Sequence, residues 1–134
     1  MKKGIFWAIL GLVAIIVIIA FLLGLSNLNP TTIILEDGMK LDNNLCSKIE
    51  AVSGNKIILI SQLGCPHCAV TINILREIEQ EQNKTFAYYD LAIGHEREKV
   101  LEEMNILPKG VPTLIANCKV YVGQRTKEDY LKVV

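Results

Sequence analysis

The sequence predicts an α/β fold, a mixed central sheet flanked by helices, preceded by one N-terminal transmembrane helix. Three observations predict it. Residues 5–25, IFWAILGLVAIIVIIAFLLGL, form an unbroken apolar run with no charged side chain. The remainder of the 134-residue chain alternates short β-branched runs with segments of helical periodicity. Near the end, two apolar runs flank Asn117-Cys118, the pattern of a hairpin.

The apolar run accounts for much of the 51% hydrophobic content. A helix needs roughly 20 apolar residues to cross the hydrocarbon core of a bilayer. A cleaved signal peptide has a shorter apolar region of about 7–15 residues and a small-residue cleavage site. This run leaves instead through Ser26-Asn27-Leu28-Asn29-Pro30. With no polar face, it does not read as a buried core helix either. A retained anchor in the lipid bilayer is therefore expected over residues 5–25. Lys2 and Lys3 precede it, and the next basic residue is Lys40. Positive residues near a span stay cytoplasmic, so the expected protein is single-pass in the cell membrane with its N-terminus inside. Residues 1–29 are read as stub, anchor and linker, and 30–134 as an extracytoplasmic domain.

Twelve of the 14 basic residues and all 14 acidic ones follow the apolar run, which leaves that part slightly acidic. No basic run stands out, so nucleic-acid binding has no support. All four cysteines lie there too. Disulfides form and persist outside the cytoplasm, and the expected compartment agrees with the cysteine usage.

In order, Thr31 to Leu35 is a β-branched edge strand, and Asp37-Gly38 a turn. Asp42 or Asn43 caps a helix that buries Leu45, Cys46 and Ile49 and stops at Gly54-Asn55. Residues 56–60 (KIILI) form a strand buried on both faces. A long helix follows Gly64-Cys65-Pro66-His67-Cys68 to about Gln82. Cys68, Ile72, Leu75 and Ile78 share one face of it, and Asn73, Arg76, Glu77 and Gln80 the other. Residues 85–91 make the next strand. Residues 95–104 make a helix with Val100, Leu101 and Met104 inward. Residues 111–116 make a strand with a proline near its start, and Asn117-Cys118 turns it into residues 119–122. Thr126 and Asp129 have the spacing of a capping box for a last helix.

The C-x-x-C pair opens a helix directly after a buried strand. Pro66 suits the first helical position, where its missing N–H has no intrahelical partner. Cys65 is thereby placed at the helix N-terminus, where free amides and the helix dipole favour a thiolate. Cys68, one turn in on the apolar face, is suited to closing a disulfide after a mixed intermediate forms. An imidazolium at His67 beside Cys65 favours the thiolate further. A more stable reduced form makes the disulfide a stronger oxidant. The other reading of His67 is a solvated turn residue. The pair also admits a structural disulfide or half of a zinc site. A second close C-x-x-C or a pair of spaced histidines is missing, and only Cys46 and Cys118 remain to complete a Cys₄ set. No metal and no cofactor is expected; the two sulfurs carry the chemistry.

Gly64-Cys65-Pro66-His67-Cys68, followed about 45 residues later by Gly110-Val111-Pro112-Thr113-Leu114-Ile115, resembles the thioredoxin superfamily. The C-P-H-C choice resembles the DsbA-type disulfide oxidases, whereas the length resembles a compact thioredoxin or glutaredoxin-like domain. The resemblance covers roughly residues 31–134. It implies a thioredoxin fold, a cis Pro112 facing Cys65, and a Val111 backbone offered to an extended substrate peptide. Two positions depart from it. The buried acid that such proteins carry six residues before the first cysteine is Leu59 here, and the aromatic that commonly precedes that cysteine is Gly64.

Cys46 and Cys118 remain over. They are either joined, which requires Cα atoms within about 7 Å, or two free thiols, Cys46 then being a buried small hydrophobe. His95 reads as a surface residue, Glu77-Glu79-Glu81 as a solvated face, and Asn83-Lys84-Thr85 as a three-residue sequon match. The expectation is an anchored dithiol oxidase that donates the Cys65–Cys68 disulfide to protein thiols and is re-oxidised by a membrane redox partner. The alternatives are an exported reductase fed by a membrane electron carrier, and a thioredoxin-like module that binds clients without turnover.

Overall fold

Residues 31–54 and 56–134 are described by a computed structural model. The expected membrane span and its linker lie outside these residues. Among the described residues no helix is long and apolar enough to cross a membrane. Residues Thr32–Val134 form one compact unit.

The elements run β1 (Ile33–Leu35), α1 (Asn43–Ser53), β2 (Ile57–Ser61), α2 (Pro66–Gln82), β3 (Phe86–Asp90) and α3 (Gly94–Glu98). A π-helical turn (Lys99–Glu103) continues α3, and β4 (Ile106–Pro108), β5 (Thr113–Ala116), β6 (Lys119–Val122) and α4 (Lys127–Leu131) complete the chain. Four strands form a mixed sheet in the order β3-β2-β5-β6. β2 pairs parallel with β3, and β5 pairs antiparallel with both β2 and β6. The fold is mixed α/β: a sheet with helices and a C-x-x-C pair at the strand-to-helix junction.

The first strand departs from the expectation. β1 does not edge this sheet but pairs in parallel with β4, which the sequence did not disclose, in a separate two-stranded sheet. The expected 95–104 helix is also altered, its second half being wound as a π turn. Val100 and Met104 are nevertheless fully buried from it, while Leu101 is only half-buried.

The reason β2 is apolar throughout is visible in the packing. Ile58 and Ile60 enter one core with Leu45, Cys46, Ile49, Val100, Met104 and Ile106. Leu59, pointing the other way, enters a second core with Leu75 and Ile78 of α2, Leu114 of β5 and Tyr130 of α4. A strand covered on both faces loses the polar alternation of a half-exposed one.

Local signals set the boundaries. The Asp42 carboxylate accepts from the Leu45 amide at 2.8 Å and starts α1. Gly54 ends it with φ +69°, a left-handed conformation that costs glycine little. Asn117 and Cys118 both have positive φ, 51° and 57°, the twist a two-residue hairpin loop demands. Thr126 caps α4 by accepting from the Asp129 amide. The Tyr130 hydroxyl then binds α4 to α2 through Thr71 at 3.3 Å, and also meets the Gly123 carbonyl and the Arg125 amide.

Candidate active site

The sheet register brings two short segments to one end of the molecule. Ile60 of β2 stands opposite Thr113 of β5, so the residues leaving β2 and those entering β5 meet. The first carry Cys65-Pro66-His67-Cys68 and the second Val111-Pro112. The chain leaves β2 through Gln62, Leu63 and Gly64. Gly64 has φ +83°, which an aromatic residue at that position would adopt only with strain.

Cys65 is the N-cap of α2 and Pro66 its first residue, so the expected placement of these two is what the structure shows. The Cys65 sulfur accepts from the Cys68 amide at 3.2 Å. This is one of the amides a helix start leaves without an intrahelical partner. The Cys65 thiol points at the Val111 carbonyl, 3.9 Å away. The backbone N–H of Cys65 donates to the Gln62 carbonyl at 3.1 Å, closing the turn before the helix. Across the cleft the Val111–Pro112 bond is cis. The Pro112 carbonyl accepts from Gly123 at 2.7 Å, and the Thr113 hydroxyl donates to Gly110 at 2.6 Å. Val111 is half-buried and Pro112 buried.

The two thiols are free and unequal. Cys65 is half-buried, whereas Cys68 is 2% exposed. Burial pushes the Cys68 thiol up to about 12, assisted by the Cys65 side chain and, more weakly, by the negative charge of Asp90. The Gln62 amide opposes this by hydrogen bonding to the sulfur.

His67 departs from the expected geometry. Its Nδ1 is hydrogen bonded to Gln124 Oε1 at 2.8 Å, on the exposed surface. The hydrogen-bond partners of the Cys65 sulfur are the Cys68 amide and the Val111 carbonyl instead. Leu59, where the resemblance led one to look for an acid, is fully buried among aliphatic side chains.

Cys46 and Cys118 are joined in a disulfide with Cα atoms 5.4 Å apart, across 72 positions of sequence. The bond ties α1 to the β5–β6 turn. Because Ile58 at the start of β2 pairs with Ile115 near the end of β5, this bond lies at the opposite end of the sheet from Cys65. The four sulfurs therefore do not form one ligand set. Glu50 Oε1 lies 3.6 Å from the Cys46 sulfur, and these two with Cys118 place donor atoms within 4.8 Å of one another. Both sulfurs are consumed in the disulfide, so the group offers no thiolate to a metal as it stands.

Two residues near the site gave no sequence signal. Gln124 holds His67, and Asp90, the last residue of β3, accepts from the Leu63 amide at 3.0 Å. The sequon residue Asn83 caps the C-terminus of α2 with φ 52°. Of the acidic run, Glu77 and Glu81 share Lys127 on the surface. Glu79 turns to the Phe86 amide and Tyr88 hydroxyl, fastening α2 to β3.

The sequence matches no protein-family profile and no curated protein. In structure the chain is similar to the crystal structure of the thioredoxin-like protein BC3987, with TM-score 0.40 and 20% identity, over 59% of this chain and all of that one. A point mutant of the same protein aligns with the same score and identity over 58% of this chain and 92% of that one.

Proposed function

We propose that this chain is a membrane-anchored, extracytoplasmic thiol–disulfide oxidoreductase that donates the Cys65–Cys68 disulfide to exported proteins. The observation that carries the reading is the inequality of two free sulfurs one helical turn apart. Cys65 is accessible and receives an amide at the start of a helix, while Cys68 is buried behind it. Such a pair has a sulfur to be attacked and a sulfur to leave.

A client thiolate attacks Cys65 of the oxidised pair. The Cys65–Cys68 bond breaks, Cys68 leaves as a thiolate and takes a proton, and a mixed disulfide forms. A second client thiolate attacks the client sulfur of that bond, so the client gains a disulfide and Cys65 departs reduced. Two electrons have passed from client to enzyme. A membrane redox partner that accepts two electrons restores the pair, and the expected anchor at residues 5–25 keeps the domain beside it. The carbonyl of Val111, facing Cys65, is available to an extended client segment. The Cys46–Cys118 bond supports an oxidising compartment.

One observation favours the opposite direction, an exported reductase. The His67 Nδ1 is bonded to Gln124 and the Cys65 sulfur to the Cys68 amide and the Val111 carbonyl, so no histidine hydrogen bond adds to whatever its charge contributes to the reduced form. Equilibrating the full chain in glutathione buffers separates the two. A potential near about −120 mV belongs to a disulfide donor and one near about −270 mV to a reductase. Absence of a reversible two-electron couple at Cys65–Cys68 would overturn both.

A further inference from the structure

Successive amides of the turn after β2 serve two different acceptors. The Gln62 N–H meets the Cys68 sulfur, and the next, Leu63 N–H, meets Asp90 Oδ1 at 3.0 Å. The same carboxylate oxygen accepts from Ala92 at 2.8 Å. Asp90 is held in turn on every side. It pairs with Ser61 in the β2–β3 ladder, its amide donates to Glu96 Oε2, and its carbonyl accepts from Ile93 at 3.0 Å. The Leu91 amide donates to Ser61 at 2.9 Å. A carboxylate is thereby fixed against the turn that leads into the two cysteines.

We propose that Asp90 is a positioning residue for exchange at Cys65–Cys68: bonded to the Leu63 and Ala92 amides, its carboxylate anchors the turn before the cysteines and holds a fixed charge against it. The proposal rests on the exchange reading above and adds to it a residue that sets how readily Cys68 attacks or leaves. With Leu59 in the core, Asp90 is the carboxylate whose charge reaches that sulfur. The other groups around it are accounted for. From its own helix Cys68 faces Cys65, and His67 is turned to Gln124. From the α2–α4 contact comes the neutral pair Thr71–Tyr130. From α3, Glu96 holds the Asp90 backbone and adds charge of the same sign, while Arg97 lines a pocket with Gln62, Leu91, Leu101 and Leu107. The carboxylate disfavours the Cys68 thiolate whichever way exchange runs, so it slows both resolution of a mixed disulfide and opening of the enzyme disulfide.

The test uses the reduced full chain and the aromatic disulfide DTNB. Cys65 attacks the reagent, releases one thionitrobenzoate and forms a mixed disulfide. Cys68 then loses its proton to water, attacks the Cys65 sulfur and releases the second thionitrobenzoate, leaving the Cys65–Cys68 disulfide. Asp90→Asn keeps an oxygen for the Leu63 and Ala92 amides and removes the charge. The second release should quicken by roughly threefold for each unit by which the Cys68 thiol becomes more acidic, because a tenfold gain in thiolate is partly offset by a weaker nucleophile. Its pH profile should move to lower pH. Added salt should quicken it in the parent chain and not in Asp90→Asn. A second phase unchanged by Asp90→Asn, or altered only by Asp90→Ala, overturns the proposal. If the Asn chain fails to fold, a second phase in the parent that salt does not quicken overturns it alone. Failure of the first release sinks the exchange reading instead, so the two are told apart.

Discussion

The two cysteine pairs occupy opposite ends of the same two strands, and their surroundings differ in what they let sulfur do. At one end, Cys65 and Cys68 lie within one turn of α2, and the structure keeps them apart as thiols of unequal exposure. At the other, Cys46 and Cys118 come from elements 72 positions apart and are bonded. A bond within a helical turn closes almost no loop and so restrains the unfolded chain very little. A bond across 72 positions removes a large share of its freedom. The first pair is therefore free to alternate between oxidised and reduced forms at small conformational cost, whereas the second contributes to holding the fold.

The largest effect that would break this comparison is on activity. Cys65→Ser should abolish disulfide transfer to a reduced client protein, because it removes the sulfur attacked in the proposed exchange. It should leave the unfolding free energy of the reduced chain, read by urea titration, within about 0.5 kcal/mol of its original value. Residual transfer at a comparable rate would mean that Cys46–Cys118 also exchanges, and the division between the ends would be lost.

The reciprocal change concerns stability. Replacing both Cys46 and Cys118 by alanine should cost about 4 kcal/mol, the chain-entropy value for a loop of this length. Transfer through Cys65–Cys68 should persist below the new unfolding transition. Urea unfolding and a transfer assay on the same preparation read both quantities. Lost transfer in a chain still folded would show that the far end supports the site more directly than a simple tether does.

A third difference appears with pH. The folded reduced chain holds the Cys68 proton up to about 12, while an unfolded thiol releases it near the ordinary value of 9.0. Above that ordinary value the unfolded state binds fewer protons, so stability falls as pH rises. The loss begins near pH 9 and is complete near 12. The oxidised chain has no Cys68 proton and lacks this contribution. The gap between the two forms should thus shift against the reduced chain from pH 7 to pH 10, measured by denaturant midpoints on both forms. A gap constant over that range would contradict the buried state of the Cys68 thiol.

Much of this division was legible in the chain. The strand–turn–helix context of Cys65 and Cys68 follows from an apolar run at 57–60 and a proline at the first position of α2. Asp42, Gly54 and Thr126 marked helix ends because caps are local chemistry. β4 was not legible: three residues ending in Pro108 lack the length of a periodic signal, and only pairing with β1 makes them a strand. The contact between His67 and Gln124 spans 57 positions, and that between Asp90 and Leu63 spans 27. Neither has a spacing rule, because both depend on how separate elements converge at the sheet end. Cys46–Cys118 was legible only as two open readings, since connectivity requires a distance.

The smallest expected effect sharpens the comparison most, because each pair has one carboxylate beside it. Asp90 acts on Cys68, which carries a proton whose release the charge opposes. Glu50 approaches Cys46 to 3.6 Å, but a sulfur already in a disulfide has no proton to donate, and this contact is not a hydrogen bond in the oxidised protein. An exposed carboxylate on α1 with no proton to share contributes little. Glu50→Gln should therefore change stability of the oxidised chain by no more than about 0.5 kcal/mol and leave both thionitrobenzoate phases at their original rates. After the Cys46–Cys118 bond is reduced, the situation reverses. Cys46 becomes a thiol whose proton the Glu50 carboxylate can accept in a hydrogen bond, and Glu50→Gln should then alter the rate at which the bond re-forms under a small-molecule disulfide. An effect of equal size before and after reduction would show that Glu50 acts on the helix rather than on the sulfur, and that a carboxylate beside a cysteine does not by itself distinguish a working pair from a fastening one.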